Sequence, residues 1–107
     1  MSSAGFELLE RIKAILRGLG LDFEYAQTPT TVVIDVKGLL TTDQLRTLVA
    51  RLSEISEIDY EIALVDMLIK FRPYKGYRMS VTAILRSDVW KKREEPRYHV
   101  YITLSQL

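Results

Sequence analysis

Cysteine is absent from the 107 residues, and histidine occurs once, at His99. The first absence excludes disulfides, a thiolate nucleophile and thiolate metal centres. The second excludes a site built from several imidazoles, so neither a metal nor a cofactor is expected. No run approaches the roughly 18 consecutive apolar residues of a membrane-spanning helix. The opening MSSAGFELLERIK lacks the apolar region of a signal peptide, so the expected setting is cytoplasmic, away from membranes. A phosphate-cradling glycine loop is missing too. The GLG at 18–20 closes a helical stretch, whereas such a cradle opens one. There is no repeat, low-complexity segment or linker. Few Asn and Gln beside many Arg, Glu and Ile would suit a hot-living source.

What is present fits one domain over 1–107, since a chain of this size buries roughly 60–70% of its unfolded surface on folding. Its 48% hydrophobic content is spread in short periodic runs, as in a globular chain. The net charge of +1 conceals a polarised sequence. Residues 1–65 hold six Lys/Arg against ten Asp/Glu and residues 66–107 nine against four, so the two parts carry −4 and +5. Such a split is the footprint expected of a polyanion-binding surface on an otherwise acidic domain, although chance would also produce it on a neutral chain.

Apolar residues at 8, 12, 15 and 19, with Leu9 and Leu16 alongside, follow helical spacing between Phe6 and Leu19, and Gly18 and Gly20 offer a stop. Residues 22–27 and 31–37 alternate as strands around the break at Pro29 and read as a hairpin. Thr41 and Gln44 stand at capping-box spacing ahead of a stripe of Leu45, Leu48, Val49, Leu52 and Ile55, which predicts a second helix. Residues 58–72 fit either element, with β-branched content favouring one strand. Residues 77–86 and 97–104 alternate cleanly as strands, and 87–96 (SDVWKKREEP) form a helical turn or a finger between them.

The register around Gly76 follows from burial. With one extra residue in the connection, the inner set is Val65, Met67, Ile69 and Phe71 against Tyr77, Met79, Val81, Ala83 and Leu85, nearly all apolar. An even loop would mix apolar and charged residues on both faces. The last strand sorts likewise, with Tyr98, Val100, Ile102 and Leu104 inward and Arg97, His99, Tyr101 and Thr103 outward. The expected fold is therefore α+β: an antiparallel sheet of about five strands with two helices on one face, in the order α-β-β-α-β-β-β.

The exposed face would then carry Lys70, Arg72, Arg78, Arg86, Arg97, His99 and Tyr101, next to the loop residues Tyr74 and Lys75 and the finger residues Trp90, Lys91, Lys92 and Arg93. Single strands of nucleic acid are held by cations along the backbone and by rings on which bases stack. Six of the ten aromatics lie within residues 70–101, but parity turns Phe71, Tyr77 and Tyr98 inward, which leaves Tyr74, Trp90 and Tyr101 as platforms. A solvated sheet face with edge-guarding arginines explains some of these cations. It explains less well why the outward charges on three strands share one sign, since like charges on adjacent strands repel.

An enzyme would need more. Asp35, Glu61 and Asp66 with Lys70 could be imagined as a magnesium-dependent nuclease site, but their spacing matches no motif. The expectation is a non-catalytic protein that binds single-stranded DNA or RNA with little sequence preference. Five phosphate contacts would give a slope of roughly −3.5 in log K against log salt. The alternative is an interaction or oligomerisation module, a dimer or higher, using the helices or like-for-like pairing of the final strand ITLSQL.

The layout of an amphipathic helix, paired strands, a second helix at TTDQLRTLVARLSEI and basic-aromatic strands through KFRPYKGYRMS, WKKR and RYHVYITL resembles the ThermoDBP-related single-strand-binding proteins of hyperthermophilic archaea. The resemblance spans most of the chain and rests on order and character. It implies a helix-backed antiparallel sheet, a basic and hydrophobic cleft for unpaired strands, and no catalysis. The C-terminal helical zipper of the founding type has no counterpart here before Leu107, so the same dimer is not implied.

Overall fold

The computed structural model describes residues 1–63, 66–86 and 95–107. Its elements are α1 (Ser3–Gly18), β1 (Phe23–Gln27), β2 (Thr31–Val36), β3 (Leu40–Thr41), α2 (Thr42–Ser53), β4 (Ile58–Ala63), β5 (Met67–Phe71), β6 (Tyr77–Leu85) and β7 (Arg97–Gln106). All strands pair antiparallel in the order β1-β2-β7-β6-β5-β4, with β3 alongside the start of β7. No helix among the described residues is long and apolar enough to cross a membrane.

Each helix begins on a cap that its sequence supplies. The Ser2 hydroxyl accepts from the Gly5 N–H in α1. In α2 the Thr41 hydroxyl accepts from the Gln44 N–H while the Gln44 side chain accepts from the Thr41 N–H, satisfying two otherwise orphaned donors. The apolar stripes then bury Leu8, Leu9, Ile12 and Leu16 from α1 and Leu45, Leu48 and Leu52 from α2 against the inward side of the sheet. That side is built from Val32, Ile34 and Val36, from Ile69 and Phe71, from Tyr77, Met79, Val81 and Ala83, and from Val100, Ile102 and Leu104. Alternation in β6 and β7 therefore sorts residues between core and open face as expected. Where α1 begins, the buried Tyr77 ring comes so close that a Cβ on Gly5 would lie 2.6 Å from it. The Tyr77 hydroxyl also meets the Ser2 hydroxyl at 2.8 Å.

Tyr74 and Tyr77 exchange backbone hydrogen bonds across Lys75 and Gly76, whose φ values of 49° and 83° mark a two-residue turn of the type that suits strand twist. Beyond it the pairs Lys70 with Ser80 and Ile69 with Val81 restore the odd-with-odd register. The extra residue demanded by burial exists, but it lies in the Arg72–Pro73 stretch of the β5 side, where proline has no N–H to offer a ladder.

Three expectations are corrected. The single strand over 58–72 is two strands, β4 and β5, folded back on each other, and no glycine, proline or asparagine advertises the turn. Together with the two-residue β3, this raises about five strands to seven and changes the order to α-β-β-β-α-β-β-β-β. The final strand cannot pair like-for-like with another copy, because β2 and β6 occupy both of its edges.

Candidate nucleic-acid interface

With both helices on one side, the other side of the sheet has no covering layer among the described residues. Cross-strand partners share a face, so the register reads out its rows. One row runs Glu24, Asp35, Tyr101, Thr82, Leu68 and Ile62, and the next runs Ala26, Val33, Thr103, Ser80, Lys70 and Tyr60. Arg78, Ser105 and Thr31 continue toward one end, and Ile84 and His99 toward the other. Around Tyr101 the centre of the face is small and hydroxylated; its β4–β5 side is apolar and aromatic apart from Lys70, and its β1–β2 side carries Glu24 and Asp35 beside Ala26 and Val33.

The most ordered constellation is on β7. The His99 and Tyr101 rings pack at 4.5 Å between centroids with a 34° tilt. The His99 Nε2 lies 2.7 Å from Oδ1 of Asp35 on β2. The hydrogen bond from His99 holds the Asp35 carboxyl below its ordinary range, against a partial burial that opposes it, and the Lys37 charge assists. A carboxylate can only accept, so Nε2 must be the protonated nitrogen, which leaves Nδ1 for another partner. Lys37 sits 3.7 Å from Asp35 and 3.1 Å from Glu24. Its hydrogen bond to Glu24 raises its ammonium pKa despite some desolvation, with Asp35 adding to the effect.

The thirteen expected site residues do not form one patch. Lys70, Arg78, His99 and Tyr101 are half-buried on the open face, and Arg86 and Arg97 are exposed at its end. There the Arg86 N–H donates to the Arg97 carbonyl at 2.9 Å. Tyr74 is corrected: it packs against the core edge and is no open platform. Lys75 is corrected with it, since an ion pair at 4.0 Å with Glu7 of α1 holds the turn toward the helical side. Trp90, Lys91, Lys92 and Arg93 lie outside the described residues, as does the inward call on Val65.

The expectation of one-signed charge is also corrected. Arg72 pairs with Glu57 at 3.4 Å and Arg78 with Asp59 at 3.6 Å. These acids come from β4 and its approach, a strand that was not separated in the sequence. Lys70 and Arg86 carry no ion pair among the described residues. The buried Nε of Arg78 has no partner among them either. The three acids imagined as a nuclease site are spread over β2, β4 and the β4–β5 turn, and no metal-holding cluster of three or more such side chains forms among the described residues.

The sequence reading missed Asp35 as the partner of His99, and missed Tyr60 as an outward ring 43% exposed. The i, i+2 alternation of β2 and β4 was the signal for both. Compared with protein-family models, curated proteins and solved structures, the chain matches none.

Proposed function

We propose that the protein binds single-stranded nucleic acid, DNA or RNA, on the open face of its sheet, without catalysis. The observation that carries this is the His99–Tyr101 ring pair, set on that face between cations without ion pairs, Lys70 toward β5 and Arg86 at the end of β6. Rings accept bases of any identity, cations track phosphates, and the row of Ser80, Thr82, Thr103 and Ser105 offers hydroxyls to sugar or phosphate. Asp35 fixes how the imidazole is presented, so His99 is a positioned ring and not a mobile side chain. The resemblance of the sequence to the ThermoDBP-related proteins points the same way.

Tyr101→Ala tests it in an anisotropy titration of a fluorescent oligonucleotide. Losing one stacked base at about 1–3 kcal/mol weakens binding roughly 5- to 150-fold. Lys75→Ala, on the helical side, changes affinity less than twofold. Equal effects of the two substitutions, or none from Tyr101→Ala, would place the contact elsewhere.

A further inference from the structure

Sheet edges are ordinarily blunted with charges, yet the edge strand β4 turns Tyr60 and Ile62 to the open face, 43% and 52% exposed, with Leu68 of β5 beside them. The acids of β4 are placed elsewhere: Glu61 turns to the groove beneath α2, and Asp59 is held by Arg78 at 3.6 Å. Next to this apolar patch stands Lys70, the cross-strand partner of Tyr60, which carries no ion pair among the described residues. An exposed ring with a free cation at its side is what a stacked base and its phosphate require.

The register fixes where this ring stands relative to the His99–Tyr101 pair. Tyr60 shares a row with Lys70, Ser80 and Thr103, one row from Tyr101 and three strands away from it. Three inter-strand spacings of about 4.8 Å and a two-residue rise of about 6.8 Å separate the two tyrosines by about 16 Å. The Ser80 and Thr82 hydroxyls and the Lys70 side chain lie between them, and no carboxylate does in either row. In the other direction the row of Tyr101 continues to Asp35 and Glu24. Those two carboxylates share Lys37, which leaves that side net negative beside a neutral His99 and unfavourable to phosphates.

We propose that Tyr60 is a second stacking platform, and that a single strand crosses the sheet from the His99–Tyr101 pair to β4 with its phosphates over Lys70. This rests on the open face binding single strands, and it adds the class of ligand: an unpaired strand long enough to bridge two platforms. Charges along one strand of a duplex repeat about every 3.4 Å, so even at twice that spacing a dinucleotide reaches less than half the separation.

The test compares oligothymidylates of two and ten nucleotides on the full chain, by anisotropy of fluorescent forms and by amide NMR shifts. With the unsubstituted protein the decanucleotide moves the amides of Tyr60, Leu68 and Lys70 together with those of Thr82 and Tyr101, and leaves Glu24 and Ala26 in place. It binds at least about fivefold tighter than the dinucleotide. Tyr60→Ala weakens the decanucleotide roughly 5- to 150-fold and the dinucleotide less than about twofold, while Tyr60→Phe, which keeps the ring, changes neither by more than about twofold. Tyr60 is exposed at the sheet edge, so both variants keep the fold, which an unchanged thermal midpoint verifies. If Tyr101→Ala weakens the decanucleotide and Tyr60→Ala does not, the path to β4 is overturned and the open-face reading stands; if neither does, both fall. Equal losses for the two lengths, or shifts running from Tyr101 to Ala26 instead of to Tyr60, would also overturn it.

Discussion

The link between His99 and Asp35 gives the open face a titration of its own. The folded carboxyl of Asp35 ionises below its ordinary range because His99 donates to it. A depressed carboxylate stabilises the fold above its unfolded pKa, and that contribution disappears as pH falls through the folded value, below about pH 4. With Asp35 about one-third exposed, solvent screening limits the contribution to under about 1 kcal/mol. That corresponds to at most roughly 4–8 °C in Tm for a domain of this size. Asp35→Asn is therefore expected to melt below the unsubstituted protein at pH 7, with the difference narrowing as pH falls below about 4. Thermal melts followed by circular dichroism across that range check it, and a difference independent of pH would assign the loss to packing. Lys13 works in the opposite sense on the helical face. Burial disfavours its ammonium, yet bonding to Glu10 and Tyr25 more than offsets this and raises its pKa, so a buried cation persists against β1.

Among the elements, the β5–β6 hairpin shows most clearly how local chemistry sets the large-scale arrangement. Gly76 has φ 83° and nothing within 4 Å of where a Cβ would stand, so Gly76→Ala meets conformational strain alone. A left-handed residue with a side chain costs roughly 1–2 kcal/mol, which is expected to lower the urea midpoint without changing the m-value. A changed m-value would mean that the register had slipped. This hairpin was legible in the sequence because burial permits only one parity: Met79, Val81 and Ala83 cannot face inward in the alternative. The capping box of α2 was legible for a similar reason, since Thr41 and Gln44 satisfy each other at a fixed spacing. The β4–β5 turn was not legible. It follows Ala63 without a glycine, proline or asparagine, and Ile58, Ile62 and Ile69 suit a strand and a helix alike. Missing that turn hid Glu57 and Asp59, and with them the neutralisation of Arg72 and Arg78. A charge pattern read along the chain cannot show which acids a neighbouring strand will supply.

Across the whole molecule the sheet divides the chemistry. One face is buried under two helices, the other is open and carries rings, hydroxyls and cations, and the β4 edge is acidic and apolar. The polarity in the sequence survives as a division between the open end at Arg86 and Arg97 and the edge at Glu61, although the acids woven among Arg72, Arg78 and His99 make it shallower than composition implied. Fewer phosphates can then be neutralised. With a single strand on the open face, Lys70 and Arg86, the two cations without an ion pair among the described residues, would supply two contacts, for a slope of about −1.4 in log K against log salt. The decisive measurement is that slope, from anisotropy of a fluorescent oligonucleotide at several salt concentrations, for the unsubstituted protein and for the double variant Lys70→Gln, Arg86→Gln. Binding on the open face predicts a slope of about −1.4 or steeper that becomes shallower by about 1.4 in the double variant. Binding no stronger than that of a control protein at low salt, or a slope untouched by losing both cations, would contradict it.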